Sequence, residues 1–256
     1  MATIALLPGL LGAGVGYLIF LGLNAWTGYG TFALAIPNLP PAPHLDGWQI
    51  LWALGIGAAA AVVSYTIRRA ALFLRPHVEQ QLVLLTPLAG LVIAGLAIAF
   101  GEATGKPQAD VLFSGQAALP PLLEQAASYT AGALVLLVAC KGIAYAIALS
   151  SFRGGPTFPG MFIGAAGGIA LSHLPGLPMI AGAAIGIGAM TAGMLQLPIT
   201  AVLLTTLFLG TDGIKTMPLV IVAVVVSFVL SKWLAGPPPE PKVPEPEEAA
   251  IPPQVR

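Results

Sequence analysis

Long apolar runs alternate with short polar breaks rich in glycine and proline along the whole chain, and the runs fall into two length groups. Thr3 to Leu23, Trp48 to about Leu74, Gln81 to Phe100, Ala126 to Ser150 and Met217 to Trp233 are long. A helix rises 1.5 Å per residue, so about 17 to 25 apolar residues cross roughly 30 Å of hydrocarbon, and each of these is predicted to span a membrane. Phe158 to Leu171, Pro178 to Met190 and Pro198 to Leu209 are too short to cross alone, and each opens on or beside a proline. They are predicted to be half-spanning or strongly tilted helices that meet inside the protein. Residues 109 to 125 leave room for only one or two short pieces.

The breaks set orientation. Gly22 to Gly47 reads as a turn-rich connection with Trp26, Tyr29 and Trp48 near its ends, where aromatic side chains favour the membrane–water boundary. Arg68, Arg69 and Arg75 precede Pro76 at the end of the second long run, and this basic cluster marks the cytoplasmic side. Thr3 to Leu23 has no basic stretch before it and is expected to span rather than to be a cleaved signal peptide. Gly236 to Arg256, rich in Pro and Glu, is expected to be a disordered cytoplasmic tail behind a membrane domain of residues 1–235.

Composition strengthens this picture. Of 256 residues, 57% are hydrophobic and 8% charged, a balance rare in water-soluble domains of this size. The mean hydropathy is +0.91. With 31 glycines and 24 prolines there is more helix-breaking and close-packing material than straight spans need, which favours a channel or transporter over an anchor. Net charge is zero, so no basic surface recommends nucleic acid. The single cysteine, Cys140, lies in an apolar stretch and supplies neither a disulfide nor a thiolate metal site. An all-α integral membrane fold follows, with about eight to ten helices by this reading.

One interruption carries candidate chemistry: Arg153-Gly154-Gly155-Pro156-Thr157-Phe158-Pro159-Gly160, at membrane depth between two apolar runs. Irregular backbone is tolerated there only where it is buried in protein or lines a cavity. Gly154 and Gly155 let the backbone turn, and Pro156 suits the first helical position, where its missing N–H costs nothing. The free amides of Thr157 and Phe158, near the positive end of the helix dipole, then form a site for a small anion. The Thr157 hydroxyl adds a donor, and the Arg153 charge favours anions on the approach. The same residues also fit a plain turn between two helices, and Arg153 also fits a snorkelling charge.

Ser151 to Pro159, continuing into Met161-Phe162-Ile163-Gly164, resembles the Gly-x-Phe-x-Pro signature of the CLC family of chloride channels and proton-coupled chloride transporters. Gly188-Ala189-Met190 and Leu197-Pro198-Ile199-Thr200 resemble that family's later stretch, where a Gly-Met run precedes a short helix. Leu82 to Gly95 and Lys141 resemble the helices leading to the signature. The resemblance covers about residues 4 to 235, as the family's second repeat preceded by the last helix of the first. It implies anion binding by Gly155, Thr157, Phe158 and Pro159, with chloride or a similar small anion as partner. It also implies a homodimer in a cell membrane, formed in part by the helix Ile4 to Leu23 and the last two helices. Thr157 stands where the signature has Phe, and no tyrosine follows Trp233 to match the family's anion-coordinating one. The family's Gly-Ser-Gly-Ile-Pro and Gly-Lys/Arg-Glu-x-Pro segments do not occur in this sequence. Two readings follow: passive anion permeation with no gating glutamate, or a non-conducting half-subunit or fragment that needs a separate N-terminal half.

The remaining candidates point to structure. Lys141 lies inside an apolar run and is a functional candidate on that ground, or a partner for a carboxylate or for backbone carbonyls. Glu102, Asp110, Glu124 and Asp212 fall near predicted boundaries and are expected to be solvated. His44, His77 and His173 share no ligand spacing, so no metal, cofactor or enzymatic activity is expected. Gly12/Gly16, Gly160/Gly164/Gly168 and Gly182/Gly186 repeat at four-residue spacing and are expected to serve close helix packing.

Overall fold

A computed structural model describes residues 2–28, 35–36, 46–152 and 154–236. Among them the fold is all-α: α1 (Ala2–Thr27), α2 (Gln49–Gln80), α3 (Leu82–Thr104), α4 (Leu119–Glu124), α5 (Ala131–Ser151), α6 (Thr157–Leu171), α7 (Met179–Leu195) and α8 (Pro198–Ala235). Single 3-10 turns at Gln108–Asp110 and Ala126–Ser128 flank α4. Five of the described helices are long and apolar enough to span a membrane, while α6 and α7 are apolar but shorter. The protein is an integral membrane protein, with five helices of spanning length and two shorter apolar ones among the described residues. The expected tail lies beyond the described residues.

Several ends differ from expectation, for local reasons. The second helix runs through Pro76 to Gln80 instead of stopping before it. Pro76 forfeits one backbone bond, but the Arg75 Nε to Glu79 Oε1 pair, at 2.7 Å, spans the proline on the exposed side. The helix expected from Ala126 starts five residues later because Thr130 caps it, its hydroxyl accepting from the Ala133 amide at 3.2 Å. α7 extends to Leu195 and stops where Gln196 turns left-handed, at φ 58°. The two pieces expected at Pro198–Leu209 and from Met217 lie on one long element broken at Gly210 (φ 58°, ψ −129°).

At the centre stands α7, buried without interruption from Ile180 to Met194 and packed against α2, α6 and α8. Against α6 the packing is glycine on glycine. A Cβ added to Gly168 would strike the carbonyl of Gly182, and one added to Gly186 would strike that of Gly164. The two backbones touch because all four positions lack side chains, so this part of the small-residue pattern is core packing. α1 is the opposite case: no described side chain on it is buried, and nothing lies within 4 Å of a Cβ built on Gly12 or Gly16.

Candidate functional site

The backbone between α5 and α6 breaks, as the glycines require. Phe152 is extended (φ −120°, ψ 159°) and ends α5, its amide bonded to the Ala148 carbonyl. Pro156 sits at the cap of α6 and Thr157 is the first helical residue. The first helical hydrogen bond runs from the Gly160 amide to the Pro156 carbonyl at 3.1 Å. Since Pro159 has no N–H, the amides of Thr157 and Phe158 are the free donors of this terminus, and neither bonds another described residue. Pro159 is buried, Thr157 and Phe158 half-buried, Gly154 and Gly155 exposed. The Phe158 ring packs edge-on to Phe208 of α8, centroids 6.1 Å apart, which fixes the first turn of α6 against the last helix. Arg153 lies outside the described residues.

A hollow of about 400 Å³ opens beside the break, and Gly154, Gly155 and Pro159 form part of its wall with Ser114, Lys141 and Tyr145. Lys141 is 2% exposed, which would be costly for an unpaired charge at this depth. Its ammonium donates to the carbonyls of Asp110 at 2.7 Å and Leu112 at 2.9 Å, with Val111 and Phe113 at 3.3 and 3.4 Å. It also lies 4.5 Å from the centre of the Phe162 ring on α6. Of the roles open to it in sequence, the carbonyl-binding one is seen. This single cation gathers the carbonyl ends of a 3-10 turn and the face of an aromatic ring, and so seats residues 110–113 against α6.

A turn follows that is pinned again at Gly115, where φ is 84° and an added Cβ would meet the Phe162 side chain at 2.8 Å. Between the two pins Phe113 adopts φ 56°, a left-handed conformation costly for a bulky residue, with its side chain 85% exposed. Phe113 and Ser114 line both this hollow and a wider one of about 710 Å³ that also contains Asp110 and Tyr129. Nothing in the sequence pattern marks Phe113, Ser114 or Tyr145 for this neighbourhood, because each arrives through a loop or a helix face whose partner is remote in the chain.

Asp110 corrects an expectation of solvation: it is 5% exposed and accepts the Tyr129 hydroxyl at 2.7 Å. Burial raises its carboxyl above the ordinary value, while the Tyr129 bond and the nearby Lys141 and Lys106 charges oppose that rise. The Tyr129 phenol is pushed up as well, first by burial and then by the carboxylate it serves. Lys106 lies 4.2 Å from the centre of the Tyr129 ring, and His173 bonds the Tyr129 carbonyl at 3.2 Å. Asp212 is likewise mostly buried and pairs with Lys215 at 2.9 Å. No group of three metal-binding side chains forms among the described residues.

A model of the voltage gated chloride channel family matches residues 1–232. No curated protein and no solved structure matches the chain.

Proposed function

This chain belongs to the voltage gated chloride channel family, and from that premise we propose that it passes chloride or a similar small anion across a membrane, holding the ion at the start of α6. The observation that carries the reading is the pair of free amides at Thr157 and Phe158 on a broken helix, beside a hollow walled by Gly155 and Lys141. A helix terminus presents about half a positive charge, worth up to about 2 kcal/mol when partly buried. The Thr157 hydroxyl supplies one more donor. Lys141 stands on the same wall with its ammonium directed to backbone carbonyls, and so shapes the hollow without being the ion's ligand. Gly155 lets the ion approach the backbone, and Pro159 shapes the turn behind it. Residues 1–235 form the conducting domain in this reading, and transport is passive.

A second reading is favoured by α1, none of whose described apolar side chains is buried, and by the exposure of Gly154 and Gly155. In it the chain is a half-subunit that acts after pairing with a separate N-terminal half, or as a homodimer. Chloride efflux from liposomes holding the purified chain separates the two. Efflux above empty liposomes, reduced about tenfold by Gly155→Val and severalfold by Thr157→Ala, is expected of the first. Equal efflux from wild type, variants and empty liposomes rejects it.

A further inference from the structure

A groove of about 110 Å³ that shares no wall residue with the hollow at the α5–α6 break opens where α2 meets the last turns of α8. Its walls are Tyr65, Arg68, Arg69 and Leu72 from α2 and Ser231 and Ala235 from α8. The four α2 residues stand at i, i+3, i+4 and i+7, one face of the helix. Gly193 of α7 closes it between the two, at a point where an added Cβ would strike the Ser64 side chain and crowd that of Ser227. The helices are therefore closely packed beneath the groove.

Two arginines face this space, and no acidic side chain among the described residues pairs with them. Among the described residues the ion pairs are Arg75 with Glu79 and Lys215 with Asp212, and no side-chain hydrogen bond is made by Arg68, Arg69 or the Tyr65 hydroxyl. The depth of the groove is set from both helices. Arg68 lies about 28 Å along α2 from Gln49, close to a hydrocarbon thickness. On α8 the same level carries Lys232 and Trp233, the latter 77% exposed, a pairing that marks a membrane interface. Towards the membrane interior the same face of α2 continues as Val62, half exposed and apolar.

We propose that this groove is a binding site for an anionic phospholipid, its head-group phosphate held by Arg68 and Arg69 on the cytoplasmic side. Guanidinium forks match phosphate oxygens in pairs, and the Tyr65 hydroxyl is placed to donate beside them. The lipid's acyl chains run past Val62 into the bilayer. About three or four water-sized units fill the groove, enough for a phosphate and not for a folded peptide. The site makes no use of the α5–α6 break and stands whether or not the chain conducts.

The test is lipid retention by the full chain, purified in detergent, delipidated, and offered phosphatidylglycerol or phosphatidylcholine before native mass spectrometry. Wild type is expected to retain one phosphatidylglycerol and no phosphatidylcholine. A basic side chain at an anionic surface contributes roughly fivefold in affinity, so Arg68→Gln and Arg69→Gln each lower retention about fivefold and the double variant about 25-fold. Lys232→Gln, outside the groove, leaves it unchanged. The single variants decide the matter if the double one does not fold. Equal retention of the two lipids overturns the proposal, as does retention untouched by the arginine variants. So does release of the lipid by millimolar inorganic phosphate, which assigns the groove to the free anion. Phosphatidylglycerol binding that appears only after deletion of residues 237–256 assigns it to the glutamates of the tail and overturns it equally.

Discussion

α1 and α7 have nearly the same ingredients and opposite fates. Both are apolar, both lack charge, and both carry glycines four residues apart. α7 is buried through its length, and Gly182 and Gly186 lie against Gly168 and Gly164 of α6. No described side chain of α1 is buried, and Gly12 and Gly16 face open space. A small-residue repeat makes a surface that two backbones can share, but only a matching repeat on a neighbour turns that surface into packing.

The sharpest way to break the contrast is to fill the shared surface. Gly168→Leu is expected to abolish the folded form, since overpacking against backbone exceeds the usual 1 to 3 kcal/mol. Loss of the monodisperse peak in size-exclusion chromatography reads this out. The tight region has a second anchor in Lys141. Lys141→Met leaves the carbonyls of Asp110 and Leu112 without their donor, and a loss of about 3 kcal/mol is expected from unfolding in mixed micelles. A loss below about 1 kcal/mol shows that the turn at residues 110–113 holds itself.

Tyr129→Phe reports on the rim of that region, and its cost depends on pH. Because burial places the Asp110 carboxyl above its unfolded value of 3.8, its stabilising contribution is complete below about pH 4 and is lost as pH rises through the raised value. Removing the Tyr129 donor raises it further. The variant is therefore expected to cost about 2 kcal/mol at pH 7 and about 1 kcal/mol at pH 4, charged acceptors gaining more from a hydrogen bond than neutral ones. A cost independent of pH excludes an ionised partner. The smallest effect belongs to α1: Gly16→Leu is expected to change monomer stability by less than about 0.5 kcal/mol. Should the same substitution shift the mass of the assembled particle in light scattering, α1 has its partner in a second chain.

Sequence carried the fold well where a property was local. Run length separated the spans from α6 and α7, and Gly154-Gly155-Pro156 located the break to within a residue. Lys141 stood out because a charge inside an apolar run has few compatible surroundings. Properties that depend on distant partners were hidden. The burial of Asp110 requires Tyr129, and the hollow at Gly155 is completed by Ser114 and Tyr145 from other segments. The passage of α2 through Pro76 is accompanied by an exposed ion pair between Arg75 and Glu79. None of these leaves a periodic trace.

The interruption of α8 has one further effect. Two residues before the left-handed Gly210, the Phe208 carbonyl accepts the Ile36 amide at 2.9 Å. The bend in the last helix is thereby tied by its backbone to a residue far earlier in the chain, so the two meet without any side chain between them.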